Sequence, residues 1–112
     1  MDKVSAITKY LDTCLICGAQ REAIHHGIAG TANRAKSDKW NLLIPLCARH
    51  HNMSNMSVHG NREMNVMSHI ISQLAFEKEF FKSRITASKS EKEQMQEEAR
   101  TLFIKEFGKS FL

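Results

Sequence analysis

The residues of this chain best suited to hold metal or move protons are three cysteines and six histidines, and all but His69 lie between Cys14 and His59. Cys14-x-x-Cys17-Gly18 has the form of a knuckle: a tight turn aims two thiolates at one point, and the glycine supplies the backbone freedom the turn needs. Cys47-x-x-His50 repeats that internal spacing further along the chain. If a helix starts near Cys47, these two residues, three apart, share a face and grip the same ion. Cys14, Cys17, Cys47 and His50 are therefore expected to form a closed Cys3His structural zinc site. A redox Cys-x-x-Cys is the competing reading, but it leaves Cys47 and His50 without a task and lacks the βαβ surroundings of such a motif. An odd number of cysteines in a reducing compartment also argues against disulfides. Zinc binding free energy acts as folding free energy in so small a domain, so chelation is expected to unfold the first half of the chain.

The zinc leaves His25, His26, His51, His59 and His69 unused. Successive helical residues are rotated by about 100°, so a His50 turned toward zinc leaves His51 facing elsewhere, and one short helix serves two sites. Asn55 shares the face of His51, and His59 lies one further turn along if the helix persists. His25 and His26, on a short strand, nominally point to opposite sides because side chains alternate. A strand ending at Gly27 brings both rings to one rim. His69, inside a long helix, reads as a surface or hydrogen-bonded histidine.

The elements that must carry these groups are short in the first half of the chain and long in the second. Asn41-Leu42-Leu43-Ile44-Pro45-Leu46-Cys47, around the sole proline, is too brief for a helix and suits an edge strand, where a missing N–H is tolerated. Glu22-Ala23-Ile24-His25-His26 is a second candidate strand. Between them Gly27, Gly30, Thr31, Asn33 and Ser37 indicate a loop, made basic by Arg34, Lys36 and Lys39. From Asn61 to Ile85 the apolar positions Met64, Met67, Ile70, Ile71, Leu74, Phe80 and Ile85 mostly recur at helical spacing and predict one long helix. Ser90-x-x-Glu93 is a candidate capping box for a last helix with a buried stripe of Met95, Ala99, Leu102, Phe103 and Phe107, stopped at Gly108. Both helices read as scaffold. Val4, Ile7 and Leu11 suit a helix at the start, but that segment is too short to hold one alone.

With 112 residues, 42% hydrophobic and 25% charged, the chain fits a single domain, residues 1–112, with a modest core, and excludes intrinsic disorder and collagen-like structure. No apolar run approaches the roughly 20 residues a bilayer demands, and MDKVSAITKY lacks the apolar stretch of a signal peptide, so a cytoplasmic location and no membrane partner are expected. Sixteen Lys and Arg against 12 Asp and Glu leave a net charge of +4 and a pI near 9.1. That excess suits an acidic partner such as nucleic acid without demanding one.

Cys-x-x-Cys, a His-His pair at a strand end, and a short apolar strand running into Cys-x-x-His-His together resemble the zinc-stapled HNH or ββα-metal endonucleases, in particular small phage or prophage members, over residues 14–60. The resemblance implies an α+β fold: a zinc-stapled ββα-metal core, a β-hairpin plus helix at 14–60, followed by a helical extension of two longer helices at 61–112. It implies that His25 ligates a catalytic divalent ion, that His26 is the general base, and that His51 is the ion's second protein ligand. Asn55 and His59 are candidates for a third contact, with His59 preferred because imidazole is the commoner ligand. The family's central Asn falls here at Leu42, a departure from the pattern, and Asn41 or Asn33 stands in as the structural brace.

The implied reaction is hydrolysis of a DNA phosphodiester, in which a water loses its proton as it attacks phosphorus and a cation offsets charge on the phosphorane and the leaving 3′ oxygen. An imidazole with an ordinary pKa near 6.5 is largely unprotonated at neutral pH and can accept that proton. Among Mg²⁺, Mn²⁺ and Ni²⁺, mostly histidine ligation favours the softer ions. Arg34, Lys36, Lys39 and Arg62 are candidate contacts to backbone phosphates, with solvated surface charge the plainer reading of each. Trp40 suits burial beside the apolar strand better than stacking on a base. The long helix offers a face on which two chains can pair, or one that covers the zinc half. The rival to a nuclease is a non-catalytic zinc module that binds nucleic acid or protein, for which His26 and His51 have no use.

Overall fold

The computed structural model describes residues 4–28, 30–81 and 88–112. The chain is a small α+β protein: β1 (Ala23–His26), α1 (Thr31–Lys39), β2 (Leu43–Leu46), α2 (Ala48–His51), α3 (Arg62–Phe81) and α4 (Lys89–Phe107) follow in that order. β1 and β2 pair antiparallel, with His25 opposite Ile44 and His26 opposite Leu43. Pro45 lies opposite Ile24, and its carbonyl accepts from the Leu15 N–H at 2.9 Å, which ties the Cys14 turn to the sheet. Every residue of β2 is buried. Its side chains serve two adjoining cores. Ile44, Leu46 and Cys47 pack with Cys14 and Val58, while Leu42, just before the strand, packs with Ile28, Ala75, Phe76, Phe103 and Phe107. No helix among the described residues is long and apolar enough to cross a membrane.

The segment between the strands is not the expected loop but the nine-residue helix α1. The glycine cues mark only its entry, where Gly30 holds φ at +110°, and Ala32, Arg34, Ala35, Lys36 and Lys39 are good helix formers. Lys36 and Lys39 lie in its last turn, where cations suit the helix dipole. Asn41, with φ at +57°, makes the turn into β2.

The long helix also turns a different face inward than its apolar spacing predicts. Ser68, Ser72, Gln73, Ala75, Phe76 and Glu77 are buried, whereas Leu74 is 53% exposed. The small serines make room for backbone: a Cβ on Gly27 would stand 1.9 Å from Ser72 Oγ. Asn61 caps α3, accepting from the Met64 N–H at 3.0 Å, and the predicted extension to Ile85 lies outside the described residues. α4 buries Met95, Ala99, Phe103 and Phe107 of the predicted stripe, leaves Leu102 half-buried, and ends on Gly108 in the left-handed conformation. Its cap is Ser88 rather than Ser90. Ser88 Oγ accepts from the Glu91 N–H at 3.3 Å and donates to Glu91 Oε1 at 2.9 Å, a side-chain N-cap set two residues earlier than expected. Residues 4–13 form no helix. Ala6 N–H donates to the Asn41 carbonyl at 2.8 Å and Ser5 Oγ to the Leu43 carbonyl at 2.6 Å, so they run beside the sheet instead.

Candidate metal centres

Two turns bring the first centre together. Cys14 N–H donates to the Ala19 carbonyl at 2.7 Å and Gly18 N–H to the Cys14 carbonyl at 2.9 Å, with Gly18 at φ +77°, so Cys14 and Cys17 project from one tight knuckle. Cys47 is the N-cap of α2, and His50 lies one turn on. Cys17 Sγ and Cys47 Sγ are 3.7 Å apart, Cys14 Sγ and His50 Nδ1 3.7 Å, and Cys47 Sγ and His50 Nδ1 3.3 Å. A tetrahedral zinc with bonds of about 2.3 Å to sulfur and 2.0 Å to nitrogen needs edges of about 3.8 Å and 3.5 Å. Cys14, Cys17, Cys47 and His50 thus cluster at metal-binding distance, in a geometry compatible with zinc. All three cysteines are free thiols.

Charge at this knuckle is arranged for a cation. Burial raises the Cys14 thiol, but N–H groups of Cys47, Cys17 and Ile16 outweigh it and bring the group from 9.0 down to about 6. The N–H of Ala19 works in the same sense on Cys17, yet desolvation and the neighbouring thiols prevail and raise it. A divalent ion between the two sulfurs would favour the thiolate form of both.

The second centre lies on the other side of α2. His25 sits on β1, His51 ends α2, and the loop after α2 folds back so that Val58 N–H donates to the His50 carbonyl at 2.8 Å and His59 N–H to the His51 carbonyl at 3.1 Å. This return replaces the extended helix expected to reach His59. The rings of His25, His51 and His59 have centroids 4.6–5.6 Å apart, and one nitrogen from each lies within 4.8 Å of the others. His51 Nε2 and His59 Nε2 are 3.1 Å apart. Two imidazoles on one ion at about 2.0–2.1 Å stand roughly 2.9–3.4 Å apart, so this pair already has ligand spacing. His25 is buried and its Nε2 has no hydrogen-bond partner. Burial, then the rings of His59, His51, His26 and His69, push it from 6.5 down to about 3, and burial followed by His59 also lowers His51. Both are neutral at pH 7, the state in which imidazole ligates.

Comparison with protein families, with curated proteins and with solved structures gives no match to this chain.

These histidines border a cavity of about 360 Å³ lined by Ile24, His25, His26, Ile28, Gly30, Arg34, His51 and His59. His25 and His26 reach the same rim although they are neighbours on a strand, because β1 stops at His26. His26 stands apart from the three-ring cluster and makes a 3.0 Å contact from Nε2 to Asp38 Oδ1 on α1. Asp38 was not foreseen as a site residue, because its place beside His26 depends on α1, which the sequence reads as loop. Arg34, on the same helix, lines the cavity.

Other expected site residues lie elsewhere. Lys36 Nζ donates to the Glu106 carbonyl, and Lys39 Nζ pairs with Glu106 Oε1 at 3.1 Å, so both join α1 to the end of α4. Arg62 is exposed at the start of α3 and is not among the cavity-lining residues. Asn55 lies beyond the end of α2 and lends its carbonyl to Asn61 Nδ2 at 2.9 Å. Asn41 is an exposed turn residue and Asn33 belongs to the first turn of α1, and just past the end of β1 Gly27 lies close against Ser72. Trp40 packs edge-on against Phe76 at 4.9 Å and His69 against Phe111 at 4.6 Å, both in scaffold roles.

Proposed function

We propose that this protein is a metal-dependent endonuclease of the HNH or ββα-metal type that hydrolyses DNA phosphodiesters. The observation that carries the reading is the division among four imidazoles on one cavity: His25, His51 and His59 converge, while His26 is paired with a carboxylate. A zinc module with only a structural purpose has no use for that second set. Cys14, Cys17, Cys47 and His50 would hold zinc and fix α2, and with it His51. His25, His51 and His59 would hold Mg²⁺, Mn²⁺ or Ni²⁺, and the buried, unpartnered Nε2 of His25 fits that use. When bound, a divalent ion supplies Lewis acidity toward the phosphorane and the leaving 3′ oxygen.

The chain's own groups do the rest. With Nε2–H donated to Asp38, His26 keeps a lone pair on Nδ1 that takes the proton of the attacking water. Arg34, at the rim, offers its guanidinium to a phosphate without reading a base. The neutral rings of His25 and His51 add no positive charge to compete with an ion.

The test is plasmid cleavage by zinc-loaded protein with Mg²⁺, Mn²⁺ or Ni²⁺, comparing the wild type with His26→Ala. Nicking or linearisation that the substitution lowers by about 100-fold or more, with zinc content unchanged, supports the reading. Equal cutting by both proteins removes His26 as base. No cutting in any metal overturns the nuclease and leaves a zinc-binding interaction module.

A further inference from the structure

Asp38 breaks a local rule. A carboxylate in the last turn of a helix faces the negative end of the dipole, where Lys36 and Lys39 belong and Asp38 does not. A residue that costs its own helix stability is commonly there for a partner elsewhere. Its partner is the cavity histidine on the adjoining strand, His26, at 3.0 Å.

The backbone carrying Asp38 is held on both sides. Ser37, fully buried, accepts from the Ile28 N–H at 3.3 Å and donates to the Ile28 carbonyl at 3.4 Å, which locks α1 to the chain just past His26. Lys36 and Lys39 engage Glu106, which fastens the opposite side of α1 to α4. The carboxylate therefore meets the ring from a fixed position, while itself being half exposed.

We infer that Asp38 is a positioning residue that holds His26 as the Nε2–H tautomer, with Nδ1 as the proton acceptor. The carboxylate accepts the Nε2–H, so the proton sits away from Nδ1. Without that acceptor a neutral imidazole distributes between two tautomers and turns about χ1 and χ2. α4 then has a second duty. Through Glu106 and the lysines it keeps α1, and with it Asp38, in register with β1.

The catalytic consequence rests on the proposed nuclease, but the tautomer does not. Imidazole ¹⁵N spectra at pH 7.5 decide the latter whether or not DNA is cut. The wild type should show His26 with a protonated Nε2. Asp38→Ala should show averaged nitrogens, and Asp38→Asn, whose NH2 can donate to Nε2 and favour the opposite Nδ1–H tautomer, should not restore the wild-type pattern. In plasmid cleavage with Mn²⁺, Asp38→Ala should lower kcat about 10- to 100-fold with KM and zinc content unchanged, and Asp38→Asn should not recover the loss. Thermal unfolding separates positioning from scaffolding: Asp38→Ala relieves the unfavourable helix end, so its Tm should equal or exceed the wild type's. A fall in Tm that accounts for the lost activity, or an unchanged His26 spectrum and kcat in Asp38→Ala, overturns the inference. A wild type that cuts nothing overturns the nuclease reading alone, since the spectra still decide Asp38's role.

Discussion

Gly27 shows how closely one residue can tie a site to its scaffold. It follows His26, its N–H donates to the Leu42 carbonyl at 2.8 Å, and its α-carbon lies against α3 with no room for a methyl. Gly27→Ala would place Cβ 1.9 Å from Ser72 Oγ and 3.1 Å from the Leu42 carbonyl, and one of these must move. Overpacking of this kind costs about 1–3 kcal/mol, to be read from denaturant unfolding. Adding Ser72→Ala removes the closest contact and should recover part of the loss, a coupling that a double-mutant cycle measures. If the two substitutions simply add, β1 does not rest on α3 in this way. Loss of His59 is expected to act differently. His59→Ala leaves the fold intact, since its backbone holds the return loop, and should weaken Mn²⁺ or Ni²⁺ binding in calorimetry while zinc at the cysteines persists.

The Cys3His set could be read directly from residue spacing, because Cys14-x-x-Cys17 and Cys47-x-x-His50 are local patterns whose geometry a single turn dictates. His25 and His59, by contrast, meet His51 only through the sheet and the return loop, and spacing alone did not bring them together. Elements set by tertiary context could not be read that way either. α1 has glycines at its entry and no apolar stripe, so nothing local announces a helix, and Asp38 vanished from view with it. In α3 the periodic Met and Ile positions are only half-buried, and the inner face depends on how near Gly27 approaches, which no spacing in α3 encodes. The cap of α4 shifts for a smaller reason: two serines stand two apart, each followed three residues later by glutamate, and chain entry decides between them. Ser88→Ala should therefore cost about 1 kcal/mol and Ser90→Ala under about 0.5 kcal/mol in thermal unfolding.

His69, on α3 against Phe111, gives that element a pH signature. Burial and then the Lys109 charge lower its pKa, so the unfolded chain binds a proton that the folded chain resists as pH falls below the ordinary 6.5. The contribution to stability is therefore unfavourable in acid and absent at higher pH. His69→Gln should gain in Tm relative to the wild type at pH 5.5 compared with pH 7.5. Comparing the two proteins at each pH cancels the titration of the other histidines.

If zinc fills the proposed site, the two cores should respond differently to its loss. The core around Cys14, Ile44, Leu46, Cys47 and Val58 is small, and two of its members belong to the proposed zinc site, so repulsion and desolvation of unpaired thiolates would fall on it directly. The other core is built on Phe76, Phe103 and Phe107, whose rings pack at 4.7–6.3 Å, flanked by the buried Gln73–Glu77 hydrogen bond within α3 and the half-buried Glu77–Arg100 pair between α3 and α4. These helices hold 20 and 19 residues, against four in α2, and no zinc ligand. Chelation should therefore remove amide-exchange protection from β1, β2 and α2 while α3 and α4 keep more than about half of the ellipticity at 222 nm. Cys17→Ala should produce the same pattern without chelator, and added zinc should restore it only in the wild type. Complete loss of helix on chelation would mean that Leu42 and Ile28, which reach from the sheet into the helical core, bind the two halves into one cooperative unit. Retained protection in β1 and β2 would mean that the thiolate cluster stabilises nothing.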